Sequence, residues 1–223
     1  IAEQHKNLHT ASYAKLLGDL GRVKHQTGDT RTARKYLEQS LALSRALLSP
    51  NDTSIADVLV TLSSIYMWEP DLDAAERAAR EAYSIYSQSV PEYYPDRVLA
   101  QSFLADVLIA QGNPTEAEPL LQNSLEAQKV LYGEASSQVA GTYDSLAQVR
   151  RAQGLLGDAV NFSRKALEAQ TLALGPQHFM TGYFRSSLAS LLFRQEKYSE
   201  AEMELRSSLD VYATTLPSDH QYV

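Results

Sequence analysis

Residues 183–212 read Tyr-Phe-Arg-Ser-Ser-Leu-Ala-Ser-Leu-Leu-Phe-Arg-Gln-Glu-Lys-Tyr-Ser-Glu-Ala-Glu-Met-Glu-Leu-Arg-Ser-Ser-Leu-Asp-Val-Tyr, and this stretch is the unit that the chain copies. Moving from Leu188 toward the N-terminus in steps of 42 residues meets Leu146, Leu104, Leu62 and Leu20. The same steps from Ala201 meet Ala159, Ala117, Ala75 and Ala33. Five copies with no insertion or deletion between these two columns describe one supersecondary unit stacked on itself, not a domain around a central core.

Within each copy the apolar spacing is helical and a breaker stands at a fixed place: Gly28, Pro70, Gly112, Gly154 and Glu196. The Leu column lies eight residues before it and the Ala column five after, so each copy predicts two antiparallel helices joined by a tight turn. The expected class is all-α with about ten helices. The first pair is expected over residues 11–27 and 30–47, later pairs shift by 42, and the copies span 11–52, 53–94, 95–136, 137–178 and 179–220. Gly or Pro recurs at the junctions, in Leu48-Ser49-Pro50, Val90-Pro91, Tyr132-Gly133, Leu174-Gly175-Pro176 and Leu216-Pro217, because the second helix must stop and the chain reverse. Gly21, Ser63, Ala105, Ala147 and Ala189 follow the Leu column, and facing the Ala column they predict the close helix–helix contacts. Val23, Ile65, Val107, Val149 and Leu191, with Leu41, Tyr83, Leu125, Leu167 and Leu209, are the expected filling of the seam.

The pattern resembles the tetratricopeptide repeat, whose signature runs Leu-Gly-x-x-Tyr and then Ala-x-x-x-Phe. Leu20-Gly21 and Leu62-Ser63-Ser64-Ile65-Tyr66 carry the first half; Ala33 to Leu37, Ala117 to Leu121 and Ala201 to Leu205 carry the second with Leu for Phe. The period exceeds the usual value of about 34, and the longer unit is similar to the repeats of kinesin light chains and of many bacterial regulatory proteins. The resemblance implies a single array over 1–223, a right-handed α-solenoid whose first helices line a concave groove. Four positions depart from the pattern. Lys24 and Arg150 replace large apolar residues, Pro70 replaces a turn glycine, and Pro119 is expected to bend a second helix.

Composition narrows the function. The net charge of −7 argues against binding nucleic acid, which needs clustered Lys and Arg. With no cysteine, disulfides, thiolate metal sites and a Cys nucleophile are excluded. The most apolar run, residues 98–110, is broken by Gln101, Ser102 and Asp106, so no membrane insertion is expected. His5 and His9 share a helical spacing without a third ligand, and His25, His178 and His220 are scattered. Asp71 with Asp73, and Glu116 with Glu118, stand where negative charge favours a helix N-terminus. No cofactor, metal or catalytic constellation is expected. Ile1 and His220 fall in columns of the repeat, so further repeats or another domain are expected beyond this stretch.

The resemblance places the binding positions on the outward face of each first helix. They are Lys15, Arg22 and His25 in the first copy; Asp57, Met67 and Trp68 in the second; Asp106 in the third; Asp144, Gln148 and Arg151 in the fourth; and Tyr183, Phe193 and Arg194 in the fifth. This track begins basic, passes the chain's single Trp, turns acidic, and ends on Phe193 beside Arg194. The expected role is a non-catalytic, cytoplasmic scaffold of a bacterial regulatory protein, binding a protein or peptide in the groove. The alternative is self-association into a homodimer through the terminal repeats.

Overall fold

The computed structural model describes residues 10–215, and among them are ten helices and no strand. They are α1 (Ala11–Gln26), α2 (Thr30–Leu47), α3 (Thr53–Trp68), α4 (Leu72–Ser89), α5 (Pro95–Ala110), α6 (Pro114–Tyr132), α7 (Ser137–Ala152), α8 (Leu156–Leu174), α9 (Phe179–Arg194) and α10 (Tyr198–Thr215). Odd-numbered helices are the first and even-numbered the second of each copy. Ile1, His5, His9, the Leu216-Pro217 junction and His220 lie outside the described residues.

Helix boundaries follow local chemistry repeated at each step. The odd helices open at one column, where the Thr10, Asp52, Ser136 and His178 side chains accept an N–H of the first turn. At the turn column the chain takes the left-handed conformation: Gly28 at φ 81°, Gly112 at 81°, Gly154 at 78° and Glu196 at 63°. The turn is closed by N–H bonds reaching back five residues, from Asp29 to the Lys24 carbonyl, Leu155 to Arg150 and Lys197 to Leu192. Pro70 also lies at positive φ, 21°, far from the value of about −65° that its ring favours, and nothing in the structure explains that residue there. α6 continues through Pro119 to Tyr132.

The chain divides between Gln111 and Gly112 into two compact units. In the first, α1 packs on α2, α2 on α3, α3 on α4 and α4 on α5. In the second, α6 packs on α7, α7 on α8, α8 on α9 and α9 on α10. The first unit's core joins Ala33, Leu37, Leu62 and Ile65 to Ile55, Leu59, Ile85 and Tyr86. The second unit's core gathers Ala147, Val160, Leu188 and Leu192 around Ala159 and Ala201. Burying one such Leu contributes roughly 1.5–3 kcal/mol.

The small columns do what close packing requires. A Cβ on Gly21 would lie 2.5 Å from Leu37 Cγ, and the hydroxyl of buried Ser63 donates to the Ala75 carbonyl at 2.7 Å. Two core expectations, Val23 and Leu209, need correction. Val23 is 55% exposed, as is its neighbour Leu20 at 49%, whereas Ile65 and Leu62, their counterparts in the second copy, are 0% and 2% exposed. Leu209 is 61% exposed, against 7% for Leu125. Val23 and Leu20 belong to the first and Leu209 to the last of the described helices.

Candidate interaction surface

In the first unit Lys15, Arg22 and Asp57 line a pocket of about 120 Å³ between α1 and α3, with Ser40 and Ser44 of α2 beneath it. Its charges are mixed: Arg22 pairs with Asp19 at 2.5 Å, and the buried Tyr86 hydroxyl donates to Asp57. Burial, and then the bond to Asp57, push the Tyr86 phenol well above its ordinary range. His25 ties the same two helices together, its Nε2 lying 3.2 Å from Ser64 Oγ. Met67 is partly buried, while Trp68 at the end of α3 is 79% exposed. Asp106, on α5, is partly buried and is outside this pocket.

In the second unit Asp144, Gln148 and Arg151 of α7 meet Tyr183, Ser186 and Ser190 of α9 around a pocket of about 300 Å³. Asp144, expected on the open face, is 5% exposed. Its carboxylate is held across the seam by Ser187 Oγ of α9, which donates to one oxygen at 2.8 Å, and along its own helix by Gln148 Nε2, which donates to the other at 3.1 Å. Burial raises the Asp144 carboxyl above its ordinary value, and these bonds with the nearby Arg151 charge oppose the rise. Phe193 is 63% exposed and meets the Tyr198 ring edge-on at 5.4 Å. Arg194, also exposed, lies beside it.

The two departures are paired, Lys24 to the cap of a second helix and Arg150 to a second helix itself. Lys24 Nζ lies 3.4 Å from Asp29, and Arg150 reaches Glu118 of α6 at 2.5 Å. Sequence reasoning missed Ser40, Ser44 and Ser187, which stand on helix faces that periodicity marks as packing. It also missed the cluster in which Lys129 and Lys165 lie 5.8 and 5.7 Å from the Tyr143 ring, itself stacked on Phe162. Among the described residues no group of three or more His, Asp or Glu could hold a metal ion, and no helix is long and apolar enough to cross a membrane.

Like hairpins packed in series define a helical-repeat protein. The chain belongs to the tetratricopeptide-repeat family, whose profile matches residues 12–88, 96–171 and 138–214. It is 25% identical over 192 residues to the mouse Tetratricopeptide repeat protein 23-like, covering 85% of this chain and 41% of that one. The chain thus spans less than half the length of the curated relatives it matches. A solved structure of a Podosopora anserina putative kinesin light chain with nearly identical TPR-like repeats superposes at a TM-score of 0.75, with 22% identity over 94% of this chain and 99% of that one. A Rap protein complexed with Competence and Sporulation Factor superposes at 0.76, with 15% identity over 92% of this chain and 55% of that one. The fold is that of kinesin-light-chain-like tetratricopeptide repeats.

Proposed function

We propose that the chain is a continuous array which holds an extended segment or helix of another protein against its odd-numbered helices, with the segment's acidic end toward Lys15 and Arg22. The observation that carries this reading is the exposure of two aromatics on first helices, Trp68 at 79% on α3 of the first unit and Phe193 at 63% on α9 of the second, each helix also lining a polar pocket of its own unit. The Rap protein's bound factor supports it as a use to which this fold is put. A displayed peptide library selected against the folded chain tests it. Trp68→Ala combined with Arg22→Ala is expected to weaken the selected segments at least tenfold, and unchanged affinity overturns the proposal. The bacterial regulatory setting and the cytoplasm are narrower parts of the same proposal, and imaging and capturing the tagged chain in its own host tests them.

A second reading is favoured by the end helices. Leu20 and Val23 on α1, with Leu205 and Leu209 on α10, are 47–61% exposed, and head-to-tail contact between copies would bury them. Light scattering over a dilution series is then expected to show mass rising with concentration, and Leu20→Lys to abolish the rise.

A further inference from the structure

The pocket beneath Lys15 exists because two columns of the repeat change size in the first copy. Ser44 stands where later copies carry Tyr86, Gln128, Gln170 and Tyr212, and Gly18 where they carry Val60, Ser102, Asp144 and Ser186. The larger residues are fillers: Tyr86 is 2%, Gln170 0% and Tyr212 7% exposed. In the last copy the ring is accommodated so tightly that a Cβ on Gly182 would lie 2.8 Å from Tyr212 Cε1. In the first copy Ser44 is 2% exposed at the floor, and the ring's place is a cleft of about 120 Å³. A cavity of about 150 Å³ accommodates a benzene ring.

We propose that this cleft receives one tyrosine side chain of the bound segment, supplying from outside the phenol that copies two and five supply from within. This rests on the interaction role proposed above. Gly18 and Val58 give the ring an apolar wall, while Ser44, Ser40 and Asp57 give its hydroxyl polar neighbours. Ser40 Oγ is committed to the Ala14 carbonyl at 2.6 Å, which leaves Ser44, Ser54 and Asp57 to meet the phenol. Asp57 already takes one phenol, that of Tyr86, through Oδ1, and its second oxygen is not used in that bond. The lining charges are mixed, Lys15 and Arg22 against Asp19 and Asp57 with Arg22 and Asp19 already paired, which suits a neutral polar ring. A plain phenyl ring would leave Ser44 and Asp57 unmatched.

The test uses p-cresol, the tyrosine side chain as a free molecule, with toluene as its match lacking the hydroxyl. Both are titrated into the isotope-labelled chain and followed by amide chemical shifts. Saturable shifts at Gly18, Ser44 and Val58 are expected, with p-cresol at least threefold tighter than toluene. Ser44→Tyr, which fills the cleft from within, and Gly18→Val, which borrows the second copy's residue, are each expected to weaken p-cresol at least tenfold. A Cβ at Gly18 would lie 3.1 Å from Ser40 Oγ and 3.4 Å from Val58 Cγ2, both lining the cleft, so a side chain there takes up its space. Helical circular dichroism checks both variants, and the comparison of the two probes on the unaltered chain stands without them. Absence of saturable shifts at these amides, equal affinity for the two probes, or p-cresol binding that survives in a folded variant overturns the proposal. Because p-cresol needs no partner, failure here with intact segment binding overturns the tyrosine subsite alone. Intact p-cresol binding with no selected segment overturns the wider role alone.

Discussion

Asp144 keeps a carboxylate where little water reaches it. Hydrogen bonds from Ser187 and Gln148 and the nearby Arg151 charge offset part of that loss, yet burial still raises its pKa above the ordinary 3.8. The folded chain therefore holds this proton more firmly than the unfolded chain. The stability so gained is complete below the ordinary value and disappears as pH rises through the raised one. Asp144→Asn has no such proton, so its Tm relative to the unaltered chain is expected to climb as pH rises above the ordinary carboxyl value and to level off once the raised one is passed; parallel curves would contradict a carboxyl held up by burial. The sequence placed Asp144 on the open face because its helical position is outward. Its carboxylate is held by Ser187 on the next first helix, a side chain that the repeat pattern of α7 alone does not weigh. The same limit applies to Ser44, whose column shows a size change but not the space that the change leaves.

Elements were far more legible, because each rests on groups close together in sequence. Caps at Thr10, Asp52, Ser136 and His178, and left-handed turns at Gly28, Gly112 and Gly154, recur in register with the Leu and Ala columns. Helix boundaries follow from that register to within a residue in the first copy. Glu196 marks where the register persists and the residue does not. A side chain at φ 63° costs about 1–2 kcal/mol that glycine avoids. Glu196→Gly is expected to recover about 1 kcal/mol after its extra unfolded-state freedom is subtracted, raising Tm by roughly 2–4 °C for a chain of this size. Thermal melts followed by circular dichroism decide it, and a lowered Tm would show that the Glu196 side chain makes a contact worth more than the strain.

Across the whole molecule, burial belongs to neighbours more than to residues. Leu20 and Leu62 are the same residue in the same column, yet one is 49% and the other 2% exposed. In a linear array, stability is a sum of each hairpin's own and its contacts with the next. Amide hydrogen exchange is therefore expected to be fastest in α1 and α10, slower by at least tenfold in α3, α4, α7 and α8, and uniform protection would contradict that additivity. The constant step of 42 residues between corresponding caps, close contacts and turns has a genetic corollary. Unequal recombination between two such columns removes or adds one whole hairpin and rejoins the flanking helices in phase, so descendants of this chain can change length without passing through a broken fold.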